Sequence, residues 1–154
     1  MNPKESTEPM SIEYTPGPLL DAARNTPTAL WNDSADPEEL RQSISFGGVG
    51  ATCNPTIAYT CINQRKDVWL PRIAELAEEM PEATESEIGW QVVREMSIEA
   101  AKLLEPIFEE HKGRNGRLSM QTDPRLARSA KALADQAEEF SNLAKNIIVK
   151  IPTT

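Results

Sequence analysis

The sequence predicts an α/β fold built on a parallel sheet. Three observations carry that prediction. Short apolar, β-branched runs alternate four times with helical segments, the arrangement of parallel βαβ units. The helical segments repeat apolar residues at three- and four-residue spacing. Each strand candidate ends on a polar residue, namely Asp33, Asn54, Gln121 and Lys150, and in barrels of β/α units the strand ends on one face build the active site.

Residues 1–27 are polar and carry Pro3, Pro9, Pro16, Pro18 and Pro27. They read as a loose leader with one short helix at LLDAAR. The first strand is TALWND, 28–33. In SADPEELRQSI that follows, Asp36 caps a helix, Pro37 takes its first position and Glu39 completes a capping box. FGG ends that helix, and VGATCN forms the second strand.

Beyond Asn54-Pro55 the chain is helical for a long stretch. Ile88, Val92, Met96, Leu103 and Ile107 mark one amphipathic helix running to about His111, which Pro106 should bend or shorten. KGRNG is a turn and RLSMQ, 117–121, the third strand. Asp123 with Pro124 starts another helix, whose buried stripe is Leu126, Ala130, Leu133, Ala137 and Phe140. NIIVKI, 146–151, is the fourth strand, and its apolar run reads as buried on both faces. A lysine in such a run stays wet, finds a partner or loses its proton. The bland alternative is an edge-strand lysine that discourages aggregation.

Composition narrows the function. A net charge of −8 and the lack of a basic, aromatic-laced patch argue against nucleic acid. No run is long enough to span a membrane, and the first ten residues lack a signal peptide's apolar core. Cys53 and Cys61 then read as free thiols in a reducing cytoplasm. One histidine, His111, and no Cys/His spacing of the right kind leave no metal site. No G-x-G-x-x-G and no G-K-[ST] follows a strand, which counts against dinucleotide and P-loop sites.

Two motifs supply a family. GATCNPTIA, 50–58, resembles the transaldolase motif around a Thr-Ser/Thr-Asn-Pro core, with Cys53 in place of the hydroxyl residue. IIVKIPTT resembles the second transaldolase motif, whose lysine forms the Schiff base. TALWNDSADPEEL and GRLSMQTDPRLA look like the first and third strands of the same proteins. The resemblance covers about 28–154. It implies the N-terminal half, about four β/α units, of a (β/α)₈ TIM barrel.

The resemblance also implies an activity. It is transfer of a dihydroxyacetone unit between sugar phosphates, in the pentose phosphate pathway, with no cofactor and no metal. Lys150 would be the nucleophile on the ketose carbonyl, Asp33 the acid–base carboxylate, and Asn54 the amide that holds the three-carbon fragment. Gln121 departs from the pattern, because transaldolases carry a water-activating glutamate there. The related fructose 6-phosphate aldolases are similar in having glutamine, so aldol release is the alternative activity. A non-catalytic barrel that binds sugar phosphates is the alternative from another class.

The chemistry asks for these residue types in its own right. A lysine attacks a carbonyl only as the free amine, and the iminium it forms is an electron sink that needs no metal. A carboxylate can take the proton of the hydroxyl whose neighbouring bond breaks. Each residue keeps a structural alternative: Asp33 as a turn or cap, Asn54 as a helix-start residue, Gln121 as a backbone partner, Asp123 as a plain cap. Four strands against the eight of a barrel lead to one more expectation. The 154 residues are a fragment ending in or just after the fourth strand, inactive alone, with the phosphate-binding groups elsewhere. Self-association of the full-length protein stays open.

Overall fold

In the computed structural model, which describes residues 12–152, four strands lie parallel and in chain order. They are β1 (Leu30–Asn32), β2 (Gly48–Cys53), β3 (Arg117–Gln121) and β4 (Ile147–Lys150). Six α-helices accompany them: α1 (Pro18–Asn25), α2 (Pro37–Ser45), α3 (Pro55–Gln64), α4 (Lys66–Glu79), α5 (Glu85–Glu110) and α6 (Ala130–Ser141). The expected α/β class with a parallel sheet is therefore present. Residues 1–11, within the segment read as a leader, and Thr153 and Thr154 lie outside the described residues. The remainder of that segment contains the expected short helix α1, whose Leu20 is buried.

Side chains alternate across the sheet. On one face Ala51, Cys53, Leu118, Met120 and Ile147 are at most 5% exposed, packed under α2, α5 and α6. Helix α5 contributes Met96, Ala100, Ala101 and Leu104 to the same core. Burying a Leu or Met fully stabilises a fold by about 1.5–3 kcal/mol, so this layer holds the sheet. Alternate residues Thr52, Ser119 and Gln121 face the other way and are half-buried, while Trp31 and Lys150 are exposed.

Two glycines are fixed by close approach. Gly116 ends the turn before β3 with φ 73°, and a Cβ there would lie 2.1 Å from the Phe108 backbone nitrogen. Gly50 pairs with Trp31 in register. Its missing Cβ leaves room for the indole, whose nearest ring atom lies 2.5 Å from where that carbon would be.

Several expectations are corrected. Asp36 does cap α2, accepting from the backbone N–H groups of Glu38 and Glu39. Glu39 does not complete the box, because Ser34 Oγ already accepts the Asp36 N–H at 3.1 Å. Helix α5 ends at Glu110 with His111 as its C-cap, as expected, and carries Pro106 inside it, so of the two expected effects the proline does not shorten it. Asp123 and Pro124 open only a 3₁₀ turn, Pro124–Leu126, and α6 starts at Ala130 with Ser129 as its cap. The stripe expected on α6 is buried only at Phe140, with Leu133 and Ala137 half-buried and Ala130 exposed. That helix packs on β4, which ends the row of strands, so among the described residues much of its inner face has no neighbour. For the same reason β4 is not buried on both faces: Ile147 is buried, Ile148 and Val149 half-buried, Lys150 exposed.

Candidate active site

The parallel arrangement sends every strand's C-terminal end to one edge of the sheet, and the polar residues singled out above gather there. Asp33 follows β1 directly. The turn that carries it away is closed by Asn32, whose side-chain N–H donates to the Ser34 carbonyl at 2.9 Å. Asp33 is exposed, and the Thr52 hydroxyl donates to its Oδ1 at 2.7 Å. Thr52 belongs to β2, two residues before Asn54, on the same face as Gly50. A fixed donor of this kind orients the carboxylate and leaves its other oxygen, Oδ2, to take a proton.

Asn54 is the N-cap of α3, and its Oδ1 accepts the Ile57 N–H at 2.9 Å. The structural reading of Asn54 as a helix-start residue is thus met. It does not exhaust the side chain, because the amide NH₂ carries two further donors. Cys53 turns the opposite way, into the core, where burial pushes its thiol from an ordinary 9.0 up to about 11. A thiol so placed is no nucleophile at neutral pH.

Gln121 and Lys150 end neighbouring strands and are register partners. The Thr122 N–H continues the ladder past them, donating to the Lys150 carbonyl at 3.1 Å. Among the described residues neither the Gln121 nor the Lys150 side chain makes a hydrogen bond, so both heads are free for a ligand. Asp33 and Lys150 stand three strands apart, roughly 14 Å in a flat sheet at about 4.8 Å per strand. The structure therefore brings Asp33 to Thr52 and Gln121 to Lys150, as two neighbouring pairs along one edge.

Sequence reasoning passed over Thr52. The signal was available in the period of two: a residue two before Asn54 on a strand shares its side of the sheet, and β2 neighbours β1.

Comparison with known proteins identifies the family. Residues 30–154 match the profile of a family described as Transaldolase/Fructose-6-phosphate aldolase. A protein named Transaldolase 2 from Streptomyces avermitilis is 33% identical over 108 residues, covering 69% of this chain and 28% of that protein. A Transaldolase from Mycobacterium ulcerans is 30% identical over 147 residues, 89% of this chain and 38% of its own length. One from Thermobifida fusca is 28% identical over 153 residues, 90% and 39% respectively. The chain thus spans under two-fifths of the length of these curated relatives. It belongs to the transaldolase/fructose-6-phosphate aldolase family.

Proposed function

We propose, on the premise of that membership, that the protein is a class I aldolase of transaldolase type, moving a dihydroxyacetone unit between sugar phosphates. One observation carries the reading. Four successive parallel strands end beside a carboxylate, an amide, a second amide and an amine along one edge of the sheet. In this reading residues 28–154 supply the first four units of a (β/α)₈ barrel, supported by the parallel strand order β1-β2-β3-β4. Closing such a barrel curves the edge and turns Asp33 and Lys150 toward one interior. The whole protein would work in the cytoplasm, and the 154 residues alone would not turn over sugar phosphates.

The steps follow from the side chains. The Lys150 Nζ lone pair attacks the ketose carbonyl carbon. Loss of water from the adduct leaves an iminium. The bond between the third and fourth substrate carbons then breaks, its electron pair flowing into the iminium to give an enamine. Asp33 takes the proton of the hydroxyl on the fourth carbon, and the aldehyde departs. An acceptor aldehyde reverses the sequence, and water finally releases the product from Lys150. Asn54 donates its NH₂ hydrogens to the hydroxyls of the retained fragment without adding charge.

Gln121 favours a second reading within the same chemistry. An amide can hold a water but cannot take its proton near neutral pH. Release of the three-carbon unit by plain aldol cleavage, as in a fructose 6-phosphate aldolase, then competes with transfer. Both readings meet the same test. Borohydride reduction of the whole natural protein with fructose 6-phosphate should fix the three-carbon fragment on Lys150, located by mass spectrometry. Lys150→Arg should abolish the adduct, since a guanidinium stays protonated. An adduct on another lysine, or none, removes the mechanism.

A further inference from the structure

We propose that Asp123 is a positioning residue for Gln121, holding the end of β3 so that the Gln121 amide faces the substrate. The inference rests on the Schiff-base reading above. A simple cap needs one hydrogen bond from a carboxylate. Asp123 makes far more. It is 6% exposed. Its Oδ2 accepts the Trp90 indole N–H at 3.0 Å, and its Oδ1 accepts the Arg125 backbone N–H and guanidinium Nε–H, each at 2.9 Å. Its own backbone N–H donates to Gln136 Oε1 at 2.7 Å. The Arg125 guanidinium reaches on to Ser86 Oγ at 2.7 Å. Trp90 and Ser86 stand on α5 and Gln136 on α6, so this one buried residue joins both helices to the strand end, through its carboxylate to α5 and its backbone N–H to α6. The Arg125 guanidinium beside it holds the carboxyl below the usual carboxylate range, so it stays charged near neutral pH.

The clasp lies two residues from Gln121, and the residue between them transmits it. Thr122 is fully buried, and its N–H is bonded to the Lys150 carbonyl. Gln121 has no side-chain hydrogen bond of its own among the described residues, so its direction is set by its backbone alone. Strand side chains alternate, and a slip of one residue would send Gln121 to the core face. The ladders to β2 and β4 hold the register of β3 itself, and Asp123 adds a fixed point just past the strand end, because its carboxylate cannot leave the Trp90 donor without losing a partner in a buried site.

The experiment is a double-mutant cycle on the rate of borohydride-trapped adduct formation at Lys150, run on the whole natural protein with fructose 6-phosphate. Asp123→Asn keeps the shape but turns an NH₂ toward the Trp90 donor. It should slow trapping at least tenfold in the natural background. In a Gln121→Ala background, where there is nothing left to position, it should slow trapping less than threefold. Trp90→Phe keeps the ring and removes one donor; it should show a smaller loss with the same dependence on Gln121, and it carries the cycle if Asp123→Asn fails to fold. Equal slowing in both backgrounds makes the clasp merely structural and overturns the proposal, as does no slowing at all. Absence of an adduct in the unsubstituted protein is a separate outcome: it ends the Schiff-base reading, and this inference with it.

Discussion

The two faces of one sheet do opposite work here. On the covered face Leu118 and Met120 are fully buried under α5, apolar and unreactive. One residue along, on the open face, Ser119 and Gln121 are polar and half-buried. The same strand contributes to both, and a period of two is all that separates them. Cys53 and Thr52 repeat the contrast on β2: the thiol is sealed in the core, while the hydroxyl reaches Asp33. Stability is therefore concentrated on one side, which leaves the other free to carry exposed, uncompensated polar groups.

The largest effect should come from damage to the covered face. Leu118→Ala opens a cavity in a fully packed layer and should cost about 3 kcal/mol in a denaturant melt. Ser119→Ala, its neighbour on the open face, should stay within about 0.5 kcal/mol. Similar costs for the two would erase the distinction between the faces.

The next effect is a pH dependence. The Cys53 pKa is raised in the fold to about 11, chiefly because burial penalises the thiolate. A raised pKa gives stability that is whole below the unfolded value near 9 and is lost as pH climbs through 11, since the unfolded chain sheds the proton first. The loss should be on the order of 2 kcal/mol. Cys53→Ala should flatten the alkaline limb of the stability curve. An unchanged slope would mean that Cys53 is not sealed from water.

Smaller still is Thr52→Val on the open face. Loss of one hydrogen bond to an exposed carboxylate should cost about 1 kcal/mol or less in stability. Yet misdirection of Asp33 should slow Lys150 trapping roughly tenfold. A normal trapping rate would reduce Thr52 to a filler of the sheet. Gln121→Glu, like Ser119→Ala, should change stability by under about 0.5 kcal/mol. Its effect is chemical: supplying a base for water should raise transfer to an aldose phosphate relative to aldol release. A fixed ratio would show that Gln121 does not handle the water.

The sequence by itself determined whatever depends on near neighbours. Period, caps and turn residues placed β3 at Arg117–Gln121 and started α2 at Pro37 behind the Asp36 cap, because those signals act over a few bonds. The alternation of strands and helices gave the parallel α/β class, and the strand ends pointed to Asp33, Gln121 and Lys150. Tertiary structure alone decided the matters that involve distant residues. Asp123 looks like an ordinary cap until Trp90, thirty-three residues earlier, donates to it. The stripe on α6 looks like core until the helix is found over β4, at the end of the row, with too few neighbours to cover it. Lys150 sits in an apolar run that predicts burial, yet exposure depends on what lies across the sheet. Local preference fixes which way a side chain turns; only packing fixes what it meets there.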